Sequence, residues 1–165
     1  ELYVVELRGG RVQRLDAPAG ASVLDFRIDP AGRRVVFSAD PVRPGGSGLF
    51  SAPLDASLPP VRLDLAQREG SEILYFQIAP DGEKVAFLAD AYLDLVYELF
   101  CAPIDGRQAA VRKNEPLAGD REVRSFEIGA DSRRALYVAD EDEIDEYELY
   151  QVYLELPSHS APRLR

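Results

Sequence analysis

The chain has 165 residues, long enough to bury a core of its own. Its formal net charge of −10 argues against gripping nucleic-acid phosphates or an anionic membrane surface, and favours a cationic partner. Apolar residues make up 46% but fall in short runs, none near the roughly 18–20 that a membrane-spanning helix needs.

Glu1 to Asp16 reads as two short strands, opening on ELYVVEL. With no leader pattern and no methionine, the chain is expected to be an excised, truncated or mature piece. From Val23, the residues Leu24, Phe26 and Ile28 alternate along a first strand. Asp29-Pro30-Ala31-Gly32 supplies a tight turn, because Pro presets φ while Asp and Gly accept turn geometries. Val35 to Ala39 is apolar on both faces, as in a strand covered on both sides. The loop after Asp40 holds Pro44-Gly45-Gly46-Ser47-Gly48, which precedes a strand and fits no phosphate-binding pattern. Leu49 and Phe50 mark a third strand, and a brief outer strand ends the unit.

The same unit then recurs. RRVVFSAD, EKVAFLAD and RRALYVAD end at Asp40, Asp90 and Asp140, a spacing of fifty residues. Leu74, Phe76 and Ile78 repeat the first strand, while the third copy keeps Phe126 and Ile128 but has Arg124 in place of the leucine. The turn becomes Ala79-Pro80-Asp81-Gly82 and then Gly129-Ala130-Asp131-Ser132. Phe50, Phe100 and Tyr150 share one column, and Phe37, Phe87 and Tyr137 another, both expected in the core. Cys101, the single cysteine, lies in such an apolar run; it allows no internal disulfide or thiolate cluster and is expected to be buried.

Four short strands per fifty residues predict an all-β fold of β-propeller blades. The expected organisation is one partial propeller, with two strands of a preceding blade in residues 1–16 and four-stranded antiparallel blades at 23–65, 73–115 and 123–165. Such a set does not close a ring. Either a longer chain of about six to eight blades contains it, or copies associate through open blade faces or strand edges.

Certain details point to a known repeat. Ala79-Pro80-Asp81-Gly82, Glu83-Lys84-Val85-Ala86-Phe87 and Glu98-Leu99-Phe100 through Ile104-Asp105-Gly106 resemble the PD40, or WD40-like, repeat of TolB-type propellers. The resemblance implies a binding platform, commonly periplasmic or otherwise outside the cytoplasm. Propellers of prolyl oligopeptidase-like and tricorn-like peptidases share the repeat, with their chemistry in a separate domain, so the resemblance carries over no catalytic residue.

The densest charge lies at Asp140 to Glu148, DEDEIDEYE, in the loop between second and third strands. The second copy has Asp90, Asp94 and Glu98 there, and the first copy is nearly uncharged after Asp40. Asp90, Asp94, Asp140, Glu141, Asp142, Glu143, Asp145 and Glu146 are candidates to receive a basic protein or peptide. Asp140, Asp142 and Asp145 are weaker candidates for Ca²⁺ through hard carboxylate oxygens, without the EF-hand glycine. No other cofactor is expected. A solvated acidic loop is the plainer reading, and the Asp40, Asp90, Asp140 column suits strand-ending hydrogen bonds to backbone.

Nothing singles out a catalytic pair among the 29 acidic residues, and His159, the only histidine, sits in a Pro-bracketed turn unsuited to a triad or zinc site. The expected function is a non-catalytic scaffold binding a protein or peptide on its loop face. One alternative is the substrate-gating propeller of a prolyl oligopeptidase-like serine peptidase, whose Gly-x-Ser-x-Gly segment would lie elsewhere. Another is an excised or engineered fragment that self-assembles.

Overall fold

A computed structural model describes residues 2–15, 21–40, 46–64 and 68–156. Every regular element among them is a strand. The first sheet holds β1 (Tyr3–Val5) and β2 (Val12–Arg14). The second holds β3 (Ser22–Ile28), β4 (Arg34–Asp40), β5 (Gly48–Pro53) and β6 (Val61–Arg62). The third holds β7 (Ile73–Ile78), β8 (Lys84–Ala89), β9 (Glu98–Pro103) and β10 (Val111–Arg112). The last holds β11 (Val123–Ile128), β12 (Arg134–Ala139) and β13 (Glu148–Tyr153). Each sheet is an antiparallel meander in chain order, the pattern of a propeller blade. The fourth strand expected in the last blade, and His159 with it, lie outside the described residues.

The tight turns form where Pro, Asp and Gly predict them. The Gly32 and Gly82 amides donate to the Asp29 and Ala79 carbonyls at 2.9 and 2.8 Å, with both glycines left-handed. In the last blade Ser132 takes this position at φ 57°, a costly conformation for a residue with a Cβ. Its hydroxyl accepts a hydrogen bond from the Asp81 amide of the preceding blade at 2.9 Å, which offsets the strain.

One detail of the expected alternation is corrected. Leu24, Leu74 and Arg124 do not share a face with the phenylalanines; each is the extra residue of a β-bulge, where the register slips between residues 23 and 25, 73 and 75, and 123 and 125. The slip turns Leu24 and Leu74 out to solvent and brings Val23, Ile73 and Val123 onto the aromatic side instead.

Each blade therefore has two unlike faces. On one, aromatic residues stand opposite one another across three strands: Phe26, Phe37 and Phe50; Phe76, Phe87 and Phe100; Phe126, Tyr137 and Tyr150. The last two rings of each set stack, with centroids 5.6, 5.5 and 5.3 Å apart. The other face carries aliphatic residues such as Val36 and Leu49, or Leu88, Leu99 and Cys101. Phe76, Phe87 and Phe100 pack on Val36, Leu49 and Leu63 of the blade before. Phe126 and Tyr137 pack on Leu88, Leu99 and Cys101 in the same way. Polar clasps cross these seams: Ser47 Oγ accepts from the Ile73 amide at 2.8 Å, and Gln77 Oε1 from the Ile128 amide at 3.0 Å.

β1 and β2 cover only the outer part of the first aromatic face, through Leu2, Val4 and Leu15. Phe26, on the inner strand, is consequently 51% exposed where its counterpart Phe76 is 2% exposed. Phe87→Ala is expected to cost about 3–5 kcal/mol and Phe26→Ala under about 1 kcal/mol, measured by urea unfolding.

Candidate functional site

The acidic loop is held from beneath by a buried carboxylate. Asp140 closes β12 with no exposed surface. Its Oδ1 accepts from the Glu122 amide at 2.7 Å and its Oδ2 from the Asp145 amide at 3.1 Å. The first bond ties it to the link from the preceding blade, the second to its own loop. Asp90 repeats the device, accepting from the Glu72 amide at 2.6 Å and the Leu95 amide at 3.2 Å. Both loops turn through a left-handed residue at the far end of the second bond, Leu95 and Asp145.

Asp90 and Asp140 are thus withdrawn from the proposed partner surface: both are buried and bonded to backbone. This is the strand-ending role that the column suggested. Asp40 is exposed, and residues 41–45 of its loop lie outside the described set. Asp94 stays at the surface, bridged to Arg68 at 3.0 Å, and Arg68 also pairs with Asp90 at 2.5 Å. Glu98 is buried, accepting from Arg112 at 3.0 Å and from the Leu117 amide at 3.1 Å, so it too is structural.

The surface that remains is Asp142, Glu143, Asp145 and Glu146, exposed together with Ile144, and Glu141 at half-burial. Arg121 steadies the loop by donating to the Glu141 and Asp142 carbonyls at 2.9 and 3.0 Å. The sequence did not reveal the part played by tyrosines here. Tyr137 donates its hydroxyl to Glu141 Oε1 at 2.8 Å, and Tyr150 to Glu148 Oε2 at 3.0 Å. Tyr147 donates to Glu122 at 3.2 Å, with Arg124 4.9 Å from its ring centroid. The available signal was the interleaving of Tyr with Asp and Glu after β12, which the core reading of the aromatic columns had absorbed.

These contacts shift protonation. Burial raises the Glu141 carboxyl above its ordinary value, against the lowering pull of the Tyr137 hydroxyl. Partial burial and the bond to Glu148 push the Tyr150 hydroxyl up to about 12. Tyr137 rises further, through burial and Glu141. The set proposed for Ca²⁺ does not converge: both Asp140 oxygens face amides, and among the described residues no three His, Cys, Asp or Glu gather to hold a metal ion.

Two other features stand apart from the loop. At the opposite edge, an open hollow of about 580 Å³ lies between the first two complete blades, bordered by Asp29, Arg33, Arg34, Asp55, Glu83 and Asp105. Cys101 is buried in the next seam, its thiol 3.9 Å from the Leu154 carbonyl and pushed up to about 11 by burial, which leaves it unreactive.

No protein-family model and no curated protein matches the chain. Among solved structures it is similar to the tricorn protease, with a TM-score of 0.58 and 15% identity over 82% of this chain and 12% of that one. It is also similar to the propeller domain of the Trilobed protease from Pyrococcus furiosus, described as having an open velcro topology, with a TM-score of 0.47 and 21% identity over 72% of this chain and 33% of that one. The chain thus spans well under half the length of either structure. At these identities the likeness concerns fold alone. The sheets, their packing and the tricorn likeness define a β-propeller repeat fold.

Asp140→Ala leaves two amides without their acceptor and is expected to cost about 1–3 kcal/mol, with faster hydrogen exchange at Glu122 and Asp145; Asp142→Ala should stay within about 0.5 kcal/mol. Glu141 gives a pH test. Its folded pKa lies above the unfolded value of 4.5, so its stabilising contribution is present below that value and fades as pH rises through the folded pKa. Glu141→Gln keeps an acceptor for Tyr137 without the buried charge. It should therefore melt higher than the parent at about pH 7 and lose that advantage below about pH 4, in paired thermal scans.

Proposed function

We propose that the chain is a non-catalytic β-propeller scaffold that binds a basic protein or peptide segment on the loop face of its last blade. One observation carries the reading. The loop pinned by Asp140 turns Asp142, Glu143, Asp145 and Glu146 outward, and among the described residues none of them lies within ion-pair distance of a Lys or Arg side chain. Elsewhere this chain pairs carboxylates readily, as at Asp64 with Arg62 and Asp90 with Arg68. Four carboxylates with no Lys or Arg partner among the described residues, on a backbone held at both ends, form a preorganised anionic surface. Exposed Ile144 adds apolar area within it, and the Tyr150 ring lies beside it for a cation–π contact with Lys or Arg.

The repeat is assigned to the PD40 type of TolB-like propellers on its Ala79-Pro80-Asp81-Gly82 turn and its Glu98-Leu99-Phe100 strand. That assignment agrees with a platform role outside the cytoplasm.

A fluorescent peptide of about eight residues rich in Lys and Arg serves as probe, with a Glu-rich peptide as control. Anisotropy should show binding of the basic peptide alone, weakened by salt. Reversal of Asp142, Glu143 and Glu146 to Lys should weaken it at least tenfold, about 1.4 kcal/mol. Unchanged binding by the reversed variant, or none by the parent, overturns the proposal.

A further inference from the structure

The loops after β8 and β12 follow one register, fifty residues apart, and are pinned by the same buried carboxylate. Their left-handed residues coincide, Leu95 at φ 61° and Asp145 at φ 64°. The side chains they present do not. Where the last loop has Asp142, Glu143 and Asp145, the middle loop has Tyr92, Leu93 and Leu95. These three are 45%, 46% and 72% exposed. The middle blade has a packed neighbour on each side, so the exposure of its loop belongs to the rim itself. Folding does not account for the apolar choice. A residue with a Cβ enters the left-handed region at a cost, and Asn, Asp or Gly is the favoured occupant. Leu95 pays that cost and, largely exposed, gains little packing in return. The same skeleton accepts carboxylates at all three positions one blade later.

The two loops adjoin. The Tyr97 carbonyl, at the end of the middle loop, accepts from the Val123 amide at 2.7 Å. The neighbouring Glu122 amide is the one that Asp140 holds, and Tyr147 of the last loop donates to the Glu122 carboxylate. An apolar surface thus stands beside the acidic one at about one sheet spacing, roughly 10 Å.

We propose that Tyr92, Leu93 and Leu95 form a second contact for the same partner segment, taking apolar side chains such as Leu or Phe that lie about three to five residues from its Lys and Arg. This rests on the reading of the acidic loop as a surface for a basic segment, and it narrows the partner to an amphipathic one. The occupant follows from complementarity. A purely cationic segment crossing both loops would strip water from its charges over Leu93 and Leu95 without a carboxylate in exchange, since Arg68 already bridges Asp94. Apolar side chains there bury surface instead. The two contacts respond differently to salt: screening weakens the acidic one and leaves the apolar one.

Anisotropy with three labelled peptides of about twelve residues and equal charge tests it. All carry a block of Lys and Arg. Two add Leu and Phe, before the block in one and after it in the other, and the third has Ser at those positions. One of the Leu-Phe peptides should bind at least tenfold tighter than the Ser peptide, and the ratio should persist as salt weakens all three. Leu93→Ser combined with Leu95→Asn should bring the ratio within about twofold and leave the affinity of the Ser peptide unchanged. That variant should melt no lower than the parent, because Asn accepts the left-handed position. Leu58→Ser, at an exposed leucine of the opposite edge, should keep the parent's ratio. Leu-Phe peptides that bind no better than the Ser peptide overturn the proposal, as does a gain that survives in the doubly substituted chain. A Ser peptide that fails to bind, while a Leu-Phe peptide binds through Leu93 and Leu95, overturns the acidic-loop reading and sustains the apolar contact.

Discussion

Every sheet in this chain has two apolar faces, and an apolar face is stable only against another. The pairing of unlike faces, aromatic on aliphatic, is the constraint on which the rest depends. It sets the fifty-residue spacing, because each blade must present the same columns at the same depth to be covered by its neighbour. It also explains why the second strand of each unit carries apolar residues on both faces. β4 and β8 lie in the middle of their sheets and contact neighbours on both sides. Polar bonds across the seams, at Ser47, Gln77 and Ser132, add direction to a contact that apolar packing alone leaves free to slide.

The loop face is built on this foundation. β12 delivers Asp140 to the edge of the sheet at a fixed height, and Asp140 in turn fixes the link and the loop. The acidic surface above needs no core of its own. It inherits rigidity from a single carboxylate whose charge is met by two amides. Asp90 does the same one blade earlier, with Arg68 as a further partner, and there the surface is partly neutralised. The two loops share a skeleton and differ in what they show to solvent.

Much of the fold was legible because a repeat states its pattern three times. The turns at Gly32 and Gly82, the aromatic columns and the burial of Cys101 follow from residue type and spacing. The bulge at Leu24 and Leu74 did not, because strict alternation and a one-residue slip give nearly the same string of apolar letters. The candidate site was legible as a charge density but not as a surface. Asp140 and Asp142 are the same residue type two positions apart, and backbone hydrogen bonds bury one and leave the other to solvent. Tyr137 and Tyr150 were read as core, and their rings do stack there. Their hydroxyls, at the far end of the ring, reach the carboxylates of the loop, which no periodicity encodes.

The Asp140 staple has a mechanical consequence. A ligand that pulls on the acidic loop strains one side of a carboxylate whose other side grips Glu122, at the entry to the last blade. That entry leads directly into β11, whose Phe126 and Ile128 form the seam with the preceding blade. Force applied at the rim is therefore delivered to the angle between two blades. The loop acts as a lever on that joint, and the stiffness of the joint sets how far the loop can yield.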